Sequence, residues 1–278
     1  MRFKTFTFLL VLLFANSANA QLVNRVFEFK FGDEFVKETK ITSDGIVERG
    51  KQSIKIKTES NITKSIKVTD LNETGYSFRI TIEDMDNQIE SMGLKLHFNS
   101  KKPVDPSSKI EKALRYMFEK PVELQTDKNG IILSLQDPTN VLASDTLLAF
   151  AGIQPEFFER GDLFTLVGDF ELNSKVVKGY TWADSLVIDE QKMVTDYVIE
   201  DVNTEKTVIK LKTSIYGRLI NTNTNATYIV ENKTGIILEK LIYSISTGFR
   251  ISDNLLYTVS RSSTIVESIK RRNPVEQK

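Results

Sequence analysis

The chain has no cysteine and one histidine, His97, among its 278 residues. It can therefore build no disulfide framework and no thiolate or multi-histidine metal centre, and a transition-metal site would have to be assembled from carboxylates alone. A serine hydrolase would need His97 as its base, yet no Gly-x-Ser-x-Gly elbow occurs, and neither a Walker loop nor a Gly-x-Gly-x-x-Gly fingerprint is present. Neither sign of charge is in excess, with 37 basic against 37 acidic residues. No basic field is offered to nucleic acid, although Lys270-Arg271-Arg272 is locally positive. Long apolar runs are missing as well. Phe6 to Phe14 is roughly nine residues, where a membrane-spanning helix needs about twenty.

That short run has the form of a secretory signal. Arg2 and Lys4 supply a positive start, and Ala18-Asn19-Ala20 places small residues at the two positions a signal peptidase inspects, so residues 1–20 read as a signal peptide cleaved before Gln21. No cysteine follows to carry the lipid of a bacterial lipoprotein. An exported chain of this size without disulfides fits a bacterial periplasm or exterior better than a eukaryotic extracellular module. No integral membrane span remains after cleavage.

The rest of the chain, 40% hydrophobic, has ample material for a core, and it is organised around its middle. Residues 21–104 and 161–270 alternate apolar and polar like β-strands, whereas 105–160 carries helical spacing; 271–278 reads as a tail. Ile110, Ala113, Leu114, Met117 and Phe118 form one helical stripe, capped by Ser107 or Ser108 and ended by Pro121. Asp127-Lys128-Asn129-Gly130 turns a hairpin over 122–135. A second helix is expected from Pro138 to Phe150, and a short helical turn over Pro155 to Arg160. Val23 to Phe31 is expected to be the first strand, Phe35 to Ile41 the second, broken at Ser43-Asp44-Gly45. A long strand over Ser53 to Thr69 should bend at Glu59-Ser60-Asn61. The long closing strands, 235–246 and 256–269, suit a strongly curved sheet or part of a barrel wall. Sliding the chain by 131 positions lays Ser65–Asn72 over Asp196–Asn203 and Phe78-Arg79-Ile80 over Ile209-Lys210-Leu211, each a strand, an acidic turn and a strand. The expected fold is mainly β: antiparallel curved sheets or an open half-barrel with about two helices from the middle of the chain, the halves forming one unit.

Paired carboxylates are the remaining route to acid–base chemistry. Glu83, Asp84 and Asp86 are dense enough for a glycosidase-like pair or calcium, but they follow a strand and lack the EF-hand order, so they read as a solvated turn. Asp201 with Glu205 is a weaker pair. His97 alternates with Leu96 and Phe98 and reads as a solvent-facing strand residue, and Trp182 reads as a core anchor. The aromatic residues say more. Phe27, Phe29, Phe31 and Phe35 crowd the first hairpin, and Phe157, Phe158, Phe164 and Phe170 crowd the far side of the helical middle. Phe27, Phe29, Phe31, Leu114, Phe118, Phe157 and Phe158 are the candidate wall of an apolar ligand cavity, and the same residues would serve as an ordinary core. Asn61, Asn72, Asn225 and Asn232 each open an Asn-x-Ser/Thr triplet, and Asp145-Thr146-Leu147 and Asp184-Ser185-Leu186 look like the O-glycosylation acceptor of Bacteroidetes-type bacteria.

Lys178-Gly179-Tyr180-Thr181-Trp182, with its Gly-x-x-Trp opening, resembles the exported β-rich bacterial proteins grouped as domain of unknown function 6263, a Bacteroidetes-type family. So do the strand-turn-strand Tyr197 to Leu211, the Lys233-Thr234-Gly235 turn and Phe31-Gly32-Asp33-Glu34-Phe35, which looks like the family's first hairpin. The acidic residue usual after the glycine is replaced here by Tyr180. The resemblance implies an exported β-protein, and because the family carries no assigned catalytic residues it transfers none. The expected function is a non-enzymatic exported binding protein for an apolar small molecule, a lipid or a cell-envelope component, without cofactor, metal or nucleic acid. The alternative is a module that pairs with an envelope protein through strand edges, and a carboxylate-dependent hydrolase stands third. The protein recovered from the medium or periplasm of its producing cells should begin at Gln21, which intact-mass measurement reads directly; a mass retaining residues 1–20 would contradict the signal.

Overall fold

In the computed structural model, which describes residues 28–136, 156, 158–166, 177–188, 191–252 and 255–272, the alternating stretches pair into one antiparallel sheet that does not close into a barrel. Its strands are β1 (Glu34–Arg49), β2 (Gln52–Leu71), β3 (Gly75–Ser91), β4 (Leu94–Asn99), β5 (Val122–Asp127), β6 (Ile132–Gln136), β7 (Thr181–Ile188), β8 (Gln191–Val202), β9 (Lys206–Tyr216), β10 (Ile220–Glu231), β11 (Ile237–Ser252) and β12 (Leu255–Arg271). Across the sheet they run β6-β5-β3-β2-β1-β12-β11-β10-β9-β8-β7, with β4 added to the far part of β3. The last strand of the chain thus lies at the centre.

Among the described residues there is one helix, α1 (Lys109–Glu119). Ser108 caps it by accepting from the Glu111 N–H at 3.2 Å, and it stops before Pro121, whose ring disfavours helical backbone at Lys120. Its stripe of Ile110, Ala113, Leu114, Met117 and Phe118 packs on Ile62, Met85, Ile89 and Phe98, which defines one face of the sheet as helix-bearing. The expected second helix, 138–150, lies outside the described residues. Glu156 and residues 158–160 are not helical, so that expectation fails where it is visible: Glu159 O accepts from Asp162 N and closes a turn at Arg160-Gly161 instead.

Other expectations shift for reasons of pairing. Glu28 to Lys30 lie outside the sheet and Phe31-Gly32 is a turn, so the described part of the first expected strand is a lead-in. Ser43-Asp44-Gly45 does not break β1, because each pairs on both sides, with Thr58, Lys57 and Ile56 of β2 and with Ser263, Ser262 and Arg261 of β12. Two ladders outweigh weak strand propensity. β2 stays in register at Glu59-Ser60-Asn61 and shifts instead at Thr63/Lys64 and Val68/Asp70. Glu83, Asp84 and Asp86 sit inside β3 rather than in a turn, since each acquires partners: Arg272 grips Glu83 with two nitrogens at 2.9 and 2.7 Å, Asp84 takes Ser100 and Lys101 at 2.7 Å each, and Asp86 takes His97 and Asn99 at 2.8 Å each.

The 131-residue offset seen in the sequence has a structural counterpart. Val68 opposes Phe78 and Asp70 opposes Ser77, skipping one residue; Ile199 opposes Ile209 and Asp201 opposes Val208, skipping the equivalent one. The turns match as well. Asn72 Oδ1 accepts from the N–H groups of Thr74 and Gly75, and Asn203 Oδ1 from those of Glu205 and Lys206. Val68 O accepts from Gly32 N–H and Val68 N–H donates to Asp33 O, just as Ile199 O accepts from Gly179 N–H and Ile199 N–H donates to Tyr180 O. Asp127-Lys128-Asn129-Gly130-Ile131-Ile132-Leu133 also reappears as Asn232-Lys233-Thr234-Gly235-Ile236-Ile237-Leu238. Strands β1-β2-β3-β5-β6 and β7-β8-β9-β10-β11 therefore repeat one arrangement, and β12 joins them. Because each Asn side chain satisfies two turn N–H groups, Asn72→Ala and Asn203→Ala should each cost about 1–2 kcal/mol, and by similar amounts, in urea unfolding.

Candidate ligand-binding face

Pairing register fixes which side chains line up across the sheet, at about 4.8 Å per strand. On the helix-bearing face one row runs Trp182, Tyr197, Leu211, Ala226, Ile242, Ile265, Ile41, from β7 through β8, β9, β10, β11 and β12 to β1. It is apolar throughout, and Trp182, Tyr197, Leu211, Ile242 and Ile265 are only half-buried. Trp182 stacks flat on Tyr197, centroids 4.7 Å apart, with Tyr180 on its other side at 5.7 Å. Two residues further along each strand, roughly 7 Å away, lies a second row: Thr195, Thr213, Thr224, Ser244, Ser263, Ser43, Thr58, from β8 to β2. Every member carries a hydroxyl. Thr195 bonds Thr213 at 3.0 Å and Thr224 bonds Ser244 at 2.8 Å.

On the other flank of the apolar row the face is ionic. Lys37 of β1, almost completely buried, bonds Glu156 at 2.6 Å and Glu267 of β12 at 3.0 Å. Glu156 also holds Lys64 of β2 at 2.8 Å and accepts from Thr165 Oγ1 at 2.7 Å, while Lys240 of β11 reaches Glu267 at 3.4 Å. Burial works against the Lys37 ammonium, but the two carboxylates, Glu156 first, outweigh it and hold its pKa above the usual lysine range. Burial likewise opposes the Glu156 charge, and Lys37 and Lys64 outweigh it, holding the carboxyl well below its usual range. Burial, with Lys37 nearby, pulls Lys240 down. Burial and then Glu267 push the Tyr228 hydroxyl up to about 12.

The expected wall residues do not converge. Phe29 and Phe158 pack with Phe35, Phe78 and Phe164 in one core, where Phe29 meets Phe35 and Phe78 edge-on at 5.8 and 5.3 Å. Leu114 and Phe118 belong to the separate core under α1. Phe31 is 72% exposed in its turn, and Phe27 and Phe157 lie outside the described residues. Trp182 is half-buried beside Ile209, Val230 and Ile237, and His97 is exposed, 2.8 Å from Asp86. The ionic cluster has a local signal in the sequence: Lys64, Lys240 and Glu267 each stand two residues from apolar neighbours on both sides, as in Ile62-x-Lys64-x-Ile66, Leu238-x-Lys240-x-Ile242 and Ile265-x-Glu267-x-Ile269. A charge on the apolar parity of a strand is a buried charge that needs a partner.

The opposite face carries an apolar groove of about 760 Å³ crossing β7 to β11, walled by Leu241 and Tyr243 with Val198, Lys210, Lys212 and Asn225. Beyond it Ile245, Phe249 and Ile251 continue the exposed apolar side of β11. Among the described residues no helix is long and apolar enough to cross a membrane.

No family model matches the chain, and no curated protein does. Among solved structures, it is similar to one of lipovitellin concerned with lipid–protein interactions, at 12% identity and a TM-score of 0.50, over 90% of this chain but only 27% of that chain. An outer membrane channel from Pseudomonas putida F1 is matched over 88% of this chain and 98% of that chain at 6% identity and a TM-score of 0.23. OpdQ from Pseudomonas aeruginosa is matched over 87% and 100% at 6% and 0.21. The lipovitellin likeness is one of fold, an open antiparallel sheet.

Removing the charge that two carboxylates face inside the sheet, as in Lys37→Met, should lower stability by about 3–5 kcal/mol, read as a lower urea midpoint at unchanged slope. The pH dependence has a definite sign. With its folded pKa depressed below the unfolded value of about 4.3, Glu156 stabilises fully above that value and loses its contribution as pH falls through the folded pKa. The stability gap between wild type and Glu156→Gln should accordingly close on acidification below about pH 4, measured by urea melts across pH.

Proposed function

We propose that the chain is an exported, non-enzymatic binding protein whose ligand is an apolar or amphipathic molecule of the cell envelope. The observation that carries this reading is the apolar row across seven adjacent strands, Trp182 to Ile41, five of whose members are half-buried, bordered from β8 to β1 by hydroxyls. Trp182, Tyr197 and Leu211 pack at their inner edge on Ile209, Val230 and Ile237 and keep part of their apolar surface uncovered. An apolar strip of about 29 Å, set by the strand spacing, accommodates an extended hydrocarbon chain, whose burial contributes about 0.8 kcal/mol per methylene. The lipovitellin-like fold supports the reading as a sheet architecture found in a protein with lipid contacts. The resemblance to domain of unknown function 6263 and the signal-like residues 1–20 belong to the same proposal.

Protein purified from its own periplasm or medium should carry a co-purifying lipid in native mass spectrometry. Ile242→Asp, on the apolar row, should abolish that adduct, whereas Leu241→Asp, in the groove of the opposite face, should retain it. Loss with Leu241→Asp alone would move the ligand to the groove, and a ligand-free mass for the wild type would end the carrier reading in favour of a module that pairs through the sheet's edges.

A further inference from the structure

We infer that the end of the sheet formed by the β1–β2, β3–β4, β9–β10 and β11–β12 turns docks on a lipid bilayer, with its hairpin tips entering the interface between headgroups and acyl chains. This goes beyond the carrier reading, because it concerns how the molecule meets a membrane rather than what the apolar row holds.

Antiparallel pairing places the turns after β1, β3, β7, β9 and β11 at one end of the sheet and those after β2, β5, β8 and β10 at the other. The two ends differ in chemistry. At the second end the turns are polar: Asn72-Glu73-Thr74, Lys128-Asn129-Gly130, Asn203-Thr204-Glu205 and Asn232-Lys233-Thr234-Gly235. At the first end, large apolar side chains stand in or beside the turns. Met92 and Leu94 flank Gly93 between β3 and β4 and are 76% and 77% exposed. Tyr216, Leu219 and Ile220 are exposed around the β9–β10 turn. On the β11–β12 hairpin, Phe249 is exposed, and Ile251 and Leu256, which oppose each other, are 60% and 57% exposed. Between the β3–β4 and β11–β12 tips lies the exposed β1–β2 turn, Arg49-Gly50-Lys51.

Two details set these residues apart from single apolar side chains scattered over a wet surface. Met92 has a φ of 53°, in the left-handed region that Asn adopts far more readily. The hairpin holds an exposed thioether where Asn-Gly is the favoured pair. The β11–β12 hairpin also outruns its neighbours. Its pairing with β10 ends at Ile220–Gly248 and with β1 at Glu48–Thr258, whereas β11 and β12 continue together to Ser252–Leu255. At about 3.4 Å per residue the tip projects roughly 10 Å, comparable to the depth of about 5–10 Å at which interfacial segments bury their apolar side.

The tips are separate projections, with neighbouring hairpins about 10 Å apart. A folded partner would need a matching pocket for each, whereas a fluid interface closes around them all. Charges of both signs adjoin the turns, Arg49, Lys51 and Arg250 beside Glu48, Asp189, Glu190 and Asp253. Attachment therefore comes from apolar burial rather than net charge, and it should persist where salt screens electrostatics.

The chain has no cysteine, so a single labelled one reports its own position. Leu94→Cys and Ile251→Cys at the tips, and Leu71→Cys at the opposite end, are each coupled to an environment-sensitive dye and mixed with vesicles of phosphatidylethanolamine and phosphatidylglycerol. The tip labels should brighten and shift to the blue while the label at position 71 does not, and unlabelled protein should float with the vesicles in about 0.5 M NaCl. Combining Ile251→Asp with Leu256→Asp should weaken partitioning about tenfold or more, with thermal melts verifying the fold. Ile242→Asp, aimed at the carrier row, should float like wild type, which separates docking from cargo. Absence of flotation, its loss in salt or with Ile242→Asp, an equal response of labels at both ends, or unchanged partitioning of the double variant would overturn the docking end and leave the carrier reading standing.

Discussion

A lysine inside a sheet is the constraint around which the centre of this molecule is arranged. Lys37 lies on the helix-bearing face of β1, and its charge survives there only because Glu267 reaches it from β12 and Glu156 from outside the sheet. Lys64 and Lys240 complete the cluster from β2 and β11, so four neighbouring strands and Glu156 share a single electrostatic unit. Buried ion pairs contribute little net stability over apolar packing, but a broken one is expensive. The cluster therefore acts mainly as a condition on register: shifting any of these strands by one residue would move its charge to the other face and leave a partner unpaired.

That condition also explains why two kinds of surface can lie side by side. With the Lys37 cluster on one flank and the hydroxyls on the other, the row between them stays apolar from Trp182 to Ile41. Its neighbours keep their polar atoms largely satisfied within the sheet, through Thr–Thr and Thr–Ser pairs across strands. A binding face built this way depends on pairing register rather than on a loop, and it inherits the rigidity of the sheet.

Local patterns were the legible part of the chain. The α1 stripe, its serine cap and its proline stop are encoded within a dozen residues, and the Asp127 to Gly130 turn within four. The long closing strands are legible as strands, although β11 runs on to Ser252, beyond the expected 246. What the sequence hid depends on distant partners. Ser43-Asp44-Gly45 looks like a breaker until β2 and β12 are seen on either side of it. The acidic run in β3 looks like a turn until Arg272, Lys101 and His97 supply its counter-charges. Each hydroxyl of the Thr195 to Thr58 row, taken alone, is indistinguishable from a solvent-facing strand residue; only the registers of six strand pairs bring them into line. The phenylalanines were conspicuous in sequence because they are large, and Phe29, Phe35, Phe78 and Phe164 fill a core.

The central position of β12 carries a consequence for the order of assembly. The two repeated five-strand arrangements touch in the sheet only through this strand, which pairs β1 on one side and β11 on the other. Phe35 and Arg271, neighbours in space, stand at opposite ends of the described chain. Each repeat has its own hairpins, but the join needs β12, which follows both repeats among the described strands. Until then two incomplete sheets with unpaired inner edges coexist, the state most open to pairing with the wrong strand. The β1–β12 pairing, Phe35 with Arg271, spans nearly the whole described chain, the kind of long-range contact whose loop closure slows folding.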